Sequence, residues 1–412
     1  MKEPPRLVLP ERLALASPEA FLGPVSAAPW FYLDLDDLAG VELWVLVALC
    51  ALSRRQRPDD ERCDVLHRSK SAAGRFAHAL GFDSAKDGQT APKAVDLSRT
   101  VPIHRVTFGQ SAEKSARALA ALAIPDDAEE DSRIALTYVL EELLRNVLQH
   151  SGDALGAVVG AQRMDAGKGG YARPMIQLAV ADTGKGILES LRRMHAVHDP
   201  LAALEMSLRP HISGTFPEGQ RGGPDNAGLG LFFTAEMAKL TAGRFLLATR
   251  GGALFLEGND EDNSHRLSAL SSGTGFPGTL AVFELPLEVR DGEALLDTIR
   301  QRANERMPRS VSRTSLIFEA PPDGVRVFRV GAGGETADAV KELAEEIRDH
   351  LSSSLPAAID FTGIRVATQS FLHALLFHPL RIAWALGVKL YAFNADPAVR
   401  SGLAYLESYT FS

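Results

Sequence analysis

A chain of 412 residues with 45% apolar and 23% charged side chains has the make-up of a soluble globular protein, and its length calls for two or three cores, of which three are expected. The net charge of −8 comes with basic residues scattered along the chain, so no electrostatic footprint for nucleic acid is present and nucleic acid is not expected as a partner. The most apolar run, residues 41–52, is shorter than the ~20 residues that cross a bilayer as a helix, and MKEPPRLVLPERL lacks the continuous apolar stretch of a secretory signal; no membrane partner and a cytoplasmic location are expected.

In chain order, FYLDL (31–35) reads as a short strand and residues 41–53 as an apolar helix. CDVLHR then reads as a second strand and SAAGRFAHALGF as a second helix. The turn-forming stretch DSAKDGQTAPK ends this unit, with a boundary expected near residue 95. Cys50 and Cys63 supply neither a disulfide framework nor a metal-ligand set.

Residues 132–150 place Ile134, Leu136, Leu140, Leu143, Leu144 and Val147 at helical spacing. MIQLAVADTGKGI is a buried strand running into a glycine turn, and residues 188–208 are helical. SGTFPEGQRGGPDNAG is a long polar loop with the length of a functional one. LGLFFTAEMAKLTAG restarts a helix, and two or three strands end at GTLAVFELPLEV. A linker at 302–313 closes this domain.

Beyond it, TSLIFEA and VRVFRV read as strands, residues 336–351 as an amphipathic helix, AAIDFTGI as a strand, residues 371–386 as an apolar helix, VKLYAF as a strand and DPAVRSGLAYLE as a closing helix. The order from residue 357 onward repeats the order from residue 31 onward, as a duplicated module flanking a different central domain would.

Three segments of the middle domain carry chemistry. Glu142 and Asn146 stand four apart on one helix face, where a carboxylate can polarise a nucleophile and an amide oxygen can ligate Mg²⁺; a solvated face with a stray acid and amide would read the same. Asp182-Thr183-Gly184-Lys185-Gly186 follows a strand, where a carboxylate can accept an exocyclic amino hydrogen of adenine and glycines admit the base; a plain glycine turn is the alternative. In Asn226-Ala227-Gly228-Leu229-Gly230-Leu231 glycines open a helix whose free N–H groups suit phosphate oxygens, the alternative being an ordinary helix start.

In this order, and with Gly278-Thr279 opening a later strand, the segments resemble the N, G1 and G2 boxes and the final adenine-contacting threonine of the GHKL ATPases, the group of gyrase, the heat-shock chaperone ATPase, histidine kinases and MutL. The resemblance spans residues 101–289. It implies an α/β sandwich binding ATP and Mg²⁺ beneath a mobile lid at 208–228. Glu142 would be the general base, Asn146 the Mg²⁺ ligand and Asp182 the adenine anchor. Gly184, Gly186, Asn226, Gly228 and Gly230 would shape the ATP pocket, and Thr279 would support the base. EELLRNVLQHS is most similar to the N box of bacterial anti-sigma-factor serine kinases, in which a histidine follows the asparagine by four. That places His150 near the phosphates; a helix-end histidine bonding local carbonyls is the other reading. His104 lies in an expected strand, and no phosphoacceptor histidine sits on a paired helix ahead of the domain, which disfavours a conventional sensor histidine kinase.

Asp360-Phe361-Thr362-Gly363-Ile364 with Thr368-Gln369-Ser370-Phe371 resembles the STAS-like modules of anti-anti-sigma factors, and Ser370 falls where that family places its phosphorylated serine. Phe371 and Gln369 depart from the family's glycine and small hydroxyl residue, and a hydroxyl residue ahead of an apolar helix also serves as an N-cap. The fold expected is therefore α/β (α+β): a degenerate STAS-like module at 1–95, a GHKL ATP-binding domain at 100–300 and a STAS-like domain at 312–412. Two activities fit: an ATPase or protein serine/threonine kinase of bacterial signalling whose partner carries a STAS module, or an ATP-gated interaction switch without transfer to protein. A protein partner engaged through the STAS-like modules is expected, and a homodimer is compatible with either.

Overall fold

The computed structural model describes residues 5–28, 31–53, 64–66, 70–87, 100–107, 116–117, 120–121, 130–167, 171–214, 228–258, 265–271, 273–287, 292–305, 316–331, 340–386 and 388–410. The chain divides into two compact units, residues 1–208 with 230–291, and residues 209–229 with 292–412. Both are mixed α/β.

The first unit runs β1 (Arg12–Leu13), α1 (Glu19–Ala27), β2 (Tyr32–Asp34), a 3₁₀ turn (Leu35–Asp37), β3 (Gly40–Val41), α2 (Leu43–Ser53), β4 (Asp64–Leu66), α3 (Ala72–Ala79), α4 (Phe82–Asp87) and β5 (Thr100–Val106). It continues with α5 (Glu130–His150), β6 (Ala157–Met164), β7 (Met175–Asp182), α6 (Gly186–Leu191), α7 (Pro200–Ser207), α8 (Gly230–Leu240), β8 (Arg244–Thr249), β9 (Gly252–Gly258), β10 (His265–Ala269) and β11 (Thr279–Pro286). Its main sheet has the order β10-β9-β8-β11-β7-β6-β5, every neighbouring pair antiparallel.

All eight residues of β7 are buried, so both faces of the sheet are covered there. Alternation along the strand sends Gln177, Ala179 and Ala181 to one face and Leu178, Val180 and Asp182 to the other. The second face carries α5, on β6 and β7, and α8, on β8, β9 and β11. The first face carries α2. This helix is buried at every position from Leu43 to Leu52, and a helix apolar on all sides needs neighbours on all sides. It rests on Gly160 of β6, where a Cβ would stand 3.2 Å from Leu43 and 3.3 Å from Val47. Its other side meets α1 through an edge-to-face pair of Phe21 and Trp44 with centroids 5.3 Å apart.

A buried polar network ties the start of α2 to the sheet end remote from Asp182. Tyr171 Oη donates to Glu284 Oε1 at 2.6 Å, and Gln177 Nε2 donates to Glu284 Oε1 at 2.7 Å and to Glu42 Oε2 at 2.9 Å. Glu42 Oε2 also accepts from Leu15 N at 2.9 Å. Burial raises the Glu284 carboxyl above its ordinary range, and the bonds from Tyr171 and Gln177 oppose that.

The second unit contains α9 (Gly292–Glu305), β12 (Leu316–Ile317), β13 (Arg326–Arg329), α10 (Lys341–Ser352), β14 (Ala357–Asp360), α11 (Gln369–Leu386), β15 (Leu390–Phe393) and α12 (Pro397–Thr410). Its sheet has the order β12-β15-β14-β13 and is parallel throughout. Asp360 ends β14, with Oδ1 accepting from Thr362 N at 3.0 Å and from Asn394 Nδ2 at 2.9 Å.

Three separate domains were expected and two units are found. Residues 1–87 do not stand apart from the domain that follows, because α2 buries one side against β6 and β7. Residues 292–300, placed by sequence in the 100–300 domain, lie in α9 of the second unit, a helix not foreseen, where Arg300 Nη1 donates to Ala398 O of α12 at 3.2 Å. The expected repeat is also uneven: the N-terminal strands form the parallel pairs β1-β3 and β2-β4, whereas the C-terminal strands form one sheet of four. Residues 188–208 are two helices instead of one, and Pro200 explains the second start, standing just inside α7 behind the Asp199 cap. Cys50 is a buried thiol of α2, while Cys63 and most of the expected 302–313 linker fall outside the described residues.

Candidate active site

Strand β7 delivers Asp182 to the end of the sheet. Its partner on β11 is Thr279, whose partner on β8 is Thr249, so one row crosses three strands on the face that carries α5 and α8. Asp182 is 1% exposed. Its Oδ1 accepts from Gly184 N at 2.8 Å, and its buried Oδ2 has no hydrogen-bond partner in the protein. Burial pushes this carboxyl up to about 7; the Asp153 charge adds to the rise, while the bond from Gly184 and the nearby polar groups of Thr279 oppose it. A buried carboxyl oxygen without a hydrogen-bond partner is an acceptor open to a further donor.

The glycine turn after Asp182 is held from two sides. Thr249 Oγ1, fully buried, accepts from Ile187 N at 2.9 Å and donates to Gly278 O at 2.9 Å. Gly186 has φ +79 and lies against that hydroxyl, where a Cβ would stand 2.6 Å from Thr249 Oγ1. On the other side, Lys185 N donates to Ser151 O at 2.9 Å, just past the end of α5, and Arg250 Nη2 donates to Gly184 O at 3.0 Å.

Along α5, Glu142 and Asn146 meet the first residue of α8. A Cβ on Gly230 would stand 3.0 Å from Glu142 Oε2 and would overlap Asn146 Nδ2, so only a hydrogen fits between the helices. Asn146 Nδ2 is buried without a hydrogen-bond partner, and the amide is therefore not committed on that side to holding the fold. Glu141 by contrast is paired with Arg145 at 2.6 Å, one turn along the same helix. His150 ends α5, and burial, with Lys185 adding, lowers it to about 4, so near neutral pH it carries no charge to complement the helix end.

The structure thus brings Asp182, Gly184, Gly186 and Thr279 together, and separately Glu142, Asn146 and Gly230. Helix α5 touches both groups: Asn146 and Ser151 are five residues apart, about 7 Å along the axis. Gly228, with φ +66, belongs to the second unit and packs against His211 and Ile212. Asn226 and most of the expected lid lie outside the described residues. Ser370 is 3% exposed in the first turn of α11, and the cap of that helix is Thr368, whose Oγ1 accepts from Phe371 N at 3.1 Å. Sequence reasoning missed Thr249, Asp153 and Arg250. The signal for Thr249 was its place at the end of RFLLAT, a strand able to pair beside GTLAVF; for Asp153 it was adjacency to the Glu142–His150 segment.

Among the described residues no three His, Cys, Asp or Glu side chains gather as a metal site, and no helix is long and apolar enough to cross a membrane. No family model matches this chain, and no curated protein matches it significantly.

Proposed function

We propose that the first unit is a Mg-ATP-binding domain of the GHKL type, acting as an ATPase or as a serine/threonine kinase in a regulatory role. The observation that carries this reading is Asp182: a buried carboxylate at a strand end, with one oxygen unfilled, in a row with Thr279 and behind a glycine turn. The exocyclic amine of adenine is a donor of the kind that Oδ2 lacks. Gly184 and Gly186 let the turn behind Asp182 close against Ser151 and Thr249, where a Cβ would overlap them. The Asn146 carboxamide, whose Nδ2 lies against the start of α8, carries a hard oxygen of the kind magnesium takes, an ion that uses one or two side-chain oxygens and fills the rest with phosphate and water. Bound there through Asn146, the metal would offset negative charge on the transferring phosphoryl group. Glu142 takes the proton from the attacking hydroxyl, whether of water or of a serine. The free N–H groups at the start of α8, which stands beside Glu142 and Asn146, would suit a phosphate oxygen, as would the positive end of the helix dipole. The second unit, with its parallel sheet, is read as a STAS-like partner-binding module.

Incubation of the full chain with γ-labelled ATP and Mg²⁺ tests this reading. Label is expected as free phosphate, or on a hydroxyl of an added STAS-type partner. Absence of nucleotide binding in calorimetry would overturn it.

A further inference from the structure

The turn that leaves α5, Ser151-Gly152-Asp153, reaches across to the segment that follows Asp182. Asp153 Oδ2 accepts from Thr183 N at 2.9 Å and from Thr183 Oγ1 at 3.0 Å, while its Oδ1 accepts from Leu155 N at 2.8 Å. Its own N–H donates to Ser151 Oγ at 3.1 Å. Next to Thr183, Gly184 lies so close to Ser151 that a Cβ would overlap its carbonyl oxygen. One carboxylate therefore holds both the backbone and the hydroxyl of the residue adjoining the proposed adenine anchor, and it does so from the turn that follows the helix bearing Glu142 and Asn146.

We propose that Asp153 is a positioning residue for the nucleotide site, fixing Thr183 so that the unfilled oxygen of Asp182 is presented to the adenine amine, and acting on Asp182 through its charge as well as through these bonds. The proposal rests on the ATP reading of the site and deepens it. Two negative groups close together in a buried place repel, and the Asp153 charge accordingly favours the neutral form of Asp182. The other charged groups nearby are Lys185, in the same turn, and Arg250 at the end of β8, which bonds Gly184 O. His150 at the end of α5 is neutral over the relevant range. An adenine amine binds the ionised carboxylate, so affinity rises as pH increases through the Asp182 ionisation.

The test is titration of the full chain with a non-hydrolysable ATP analogue and Mg²⁺ at a series of pH values, for wild type, Asp153→Asn and Thr183→Val. Wild type is expected to gain affinity with a midpoint at about 7. Asp153→Asn keeps an acceptor but loses the charge and cannot serve Thr183 and Leu155 together. It is expected to bind roughly tenfold more weakly, as loss of a charge-assisted bond implies, with its midpoint moved to lower pH. Thr183→Val keeps the charge and loses one bond, so affinity falls by roughly threefold and the midpoint stays. A wild type that binds no analogue overturns the ATP reading and this proposal with it. A wild type that binds, with a folded Asp153→Asn that binds as tightly as wild type above the midpoint, overturns the positioning role alone. Should Asp153→Asn fail to fold, unchanged affinity in Thr183→Val overturns the role and weakened affinity supports it.

Discussion

Gly230 and Asn146 occupy each other's space to the limit: the first residue of α8 has room for a hydrogen against the Asn146 amide and for nothing larger. Gly230→Ala must therefore separate the two helices or turn both Asn146 and Glu142 away. The expected result is a loss of about 1–3 kcal/mol of stability, as overpacking costs in a filled core, together with at least a tenfold loss of ATP turnover. Chemical denaturation and a phosphate-release assay read the two effects. Unchanged turnover would show that the close approach of the helices has no part in the site.

Glu142→Ala removes the proposed general base, a group that would act on the reaction and add little to ground-state affinity. Turnover should fall by ~10²–10⁴, the usual contribution of a general base, with analogue affinity nearly unchanged. Retained phosphate release would place the base elsewhere. Asn146→Ala should weaken binding chiefly when Mg²⁺ is present, and equal losses with and without the metal would remove it as a ligand.

Asp182 sets function against stability. Its carboxyl has a higher pKa folded, about 7, than unfolded, near 3.8. The folded chain thus holds the proton more tightly, and this group's contribution to stability declines as pH rises from about 4 to about 7. Asp182→Asn keeps an acceptor for Gly184 N and removes the buried charge. At pH 8 the ligand-free variant should melt higher than wild type, by a few degrees for about 1 kcal/mol in a unit of this size, and bind no nucleotide. A lower melting point with binding preserved would reject both halves.

At the far end of the sheet the Glu284 network offers a contrast. Tyr171→Phe takes one donor from a buried carboxylate and should cost about 1–3 kcal/mol, the penalty for leaving a buried polar group short of a partner. Nucleotide affinity should not change. A matching fall in affinity would show that the two ends of β7 and β11 are coupled.

The local elements were legible because their signals are local. Residues 132–150 carry helical spacing and form α5 over Glu130–His150, and the strand expected within MIQLAVADTGKGI is β7, which runs on through Asp182. The grouping of Asp182, Gly186 and Thr279 in one site came from the resemblance to the GHKL boxes, since nothing local to β11 points to β7; the structure pairs Thr279 with Asp182 and sets Gly186 in the turn that follows. The placement of α2 was not legible. An apolar run announces burial but not the partner, and only the sheet pairing shows that the bare Gly160 lies beneath it. For Thr249 the sequence offered only its place at the end of RFLLAT: a threonine at a strand end acquires its role when Gly278 and Ile187 arrive from other elements.

Because α2 lies on β6 and β7, the first 87 residues share their fate with the sheet in thermal or chemical unfolding. A chain begun at residue 100, where the composition suggests a clean boundary, would expose Ile103, Val158, Ala179 and Ala181 to water, all of which are buried in the intact unit. Such a fragment should associate or precipitate, whereas one beginning at residue 5 and ending near 291 keeps α2 over those side chains. Light scattering of the two fragments distinguishes these outcomes. The same helix occupies the sheet surface through which a second sheet or a partner helix could otherwise dock, so the side of the molecule left for recruiting other proteins excludes the ground above β6 and β7.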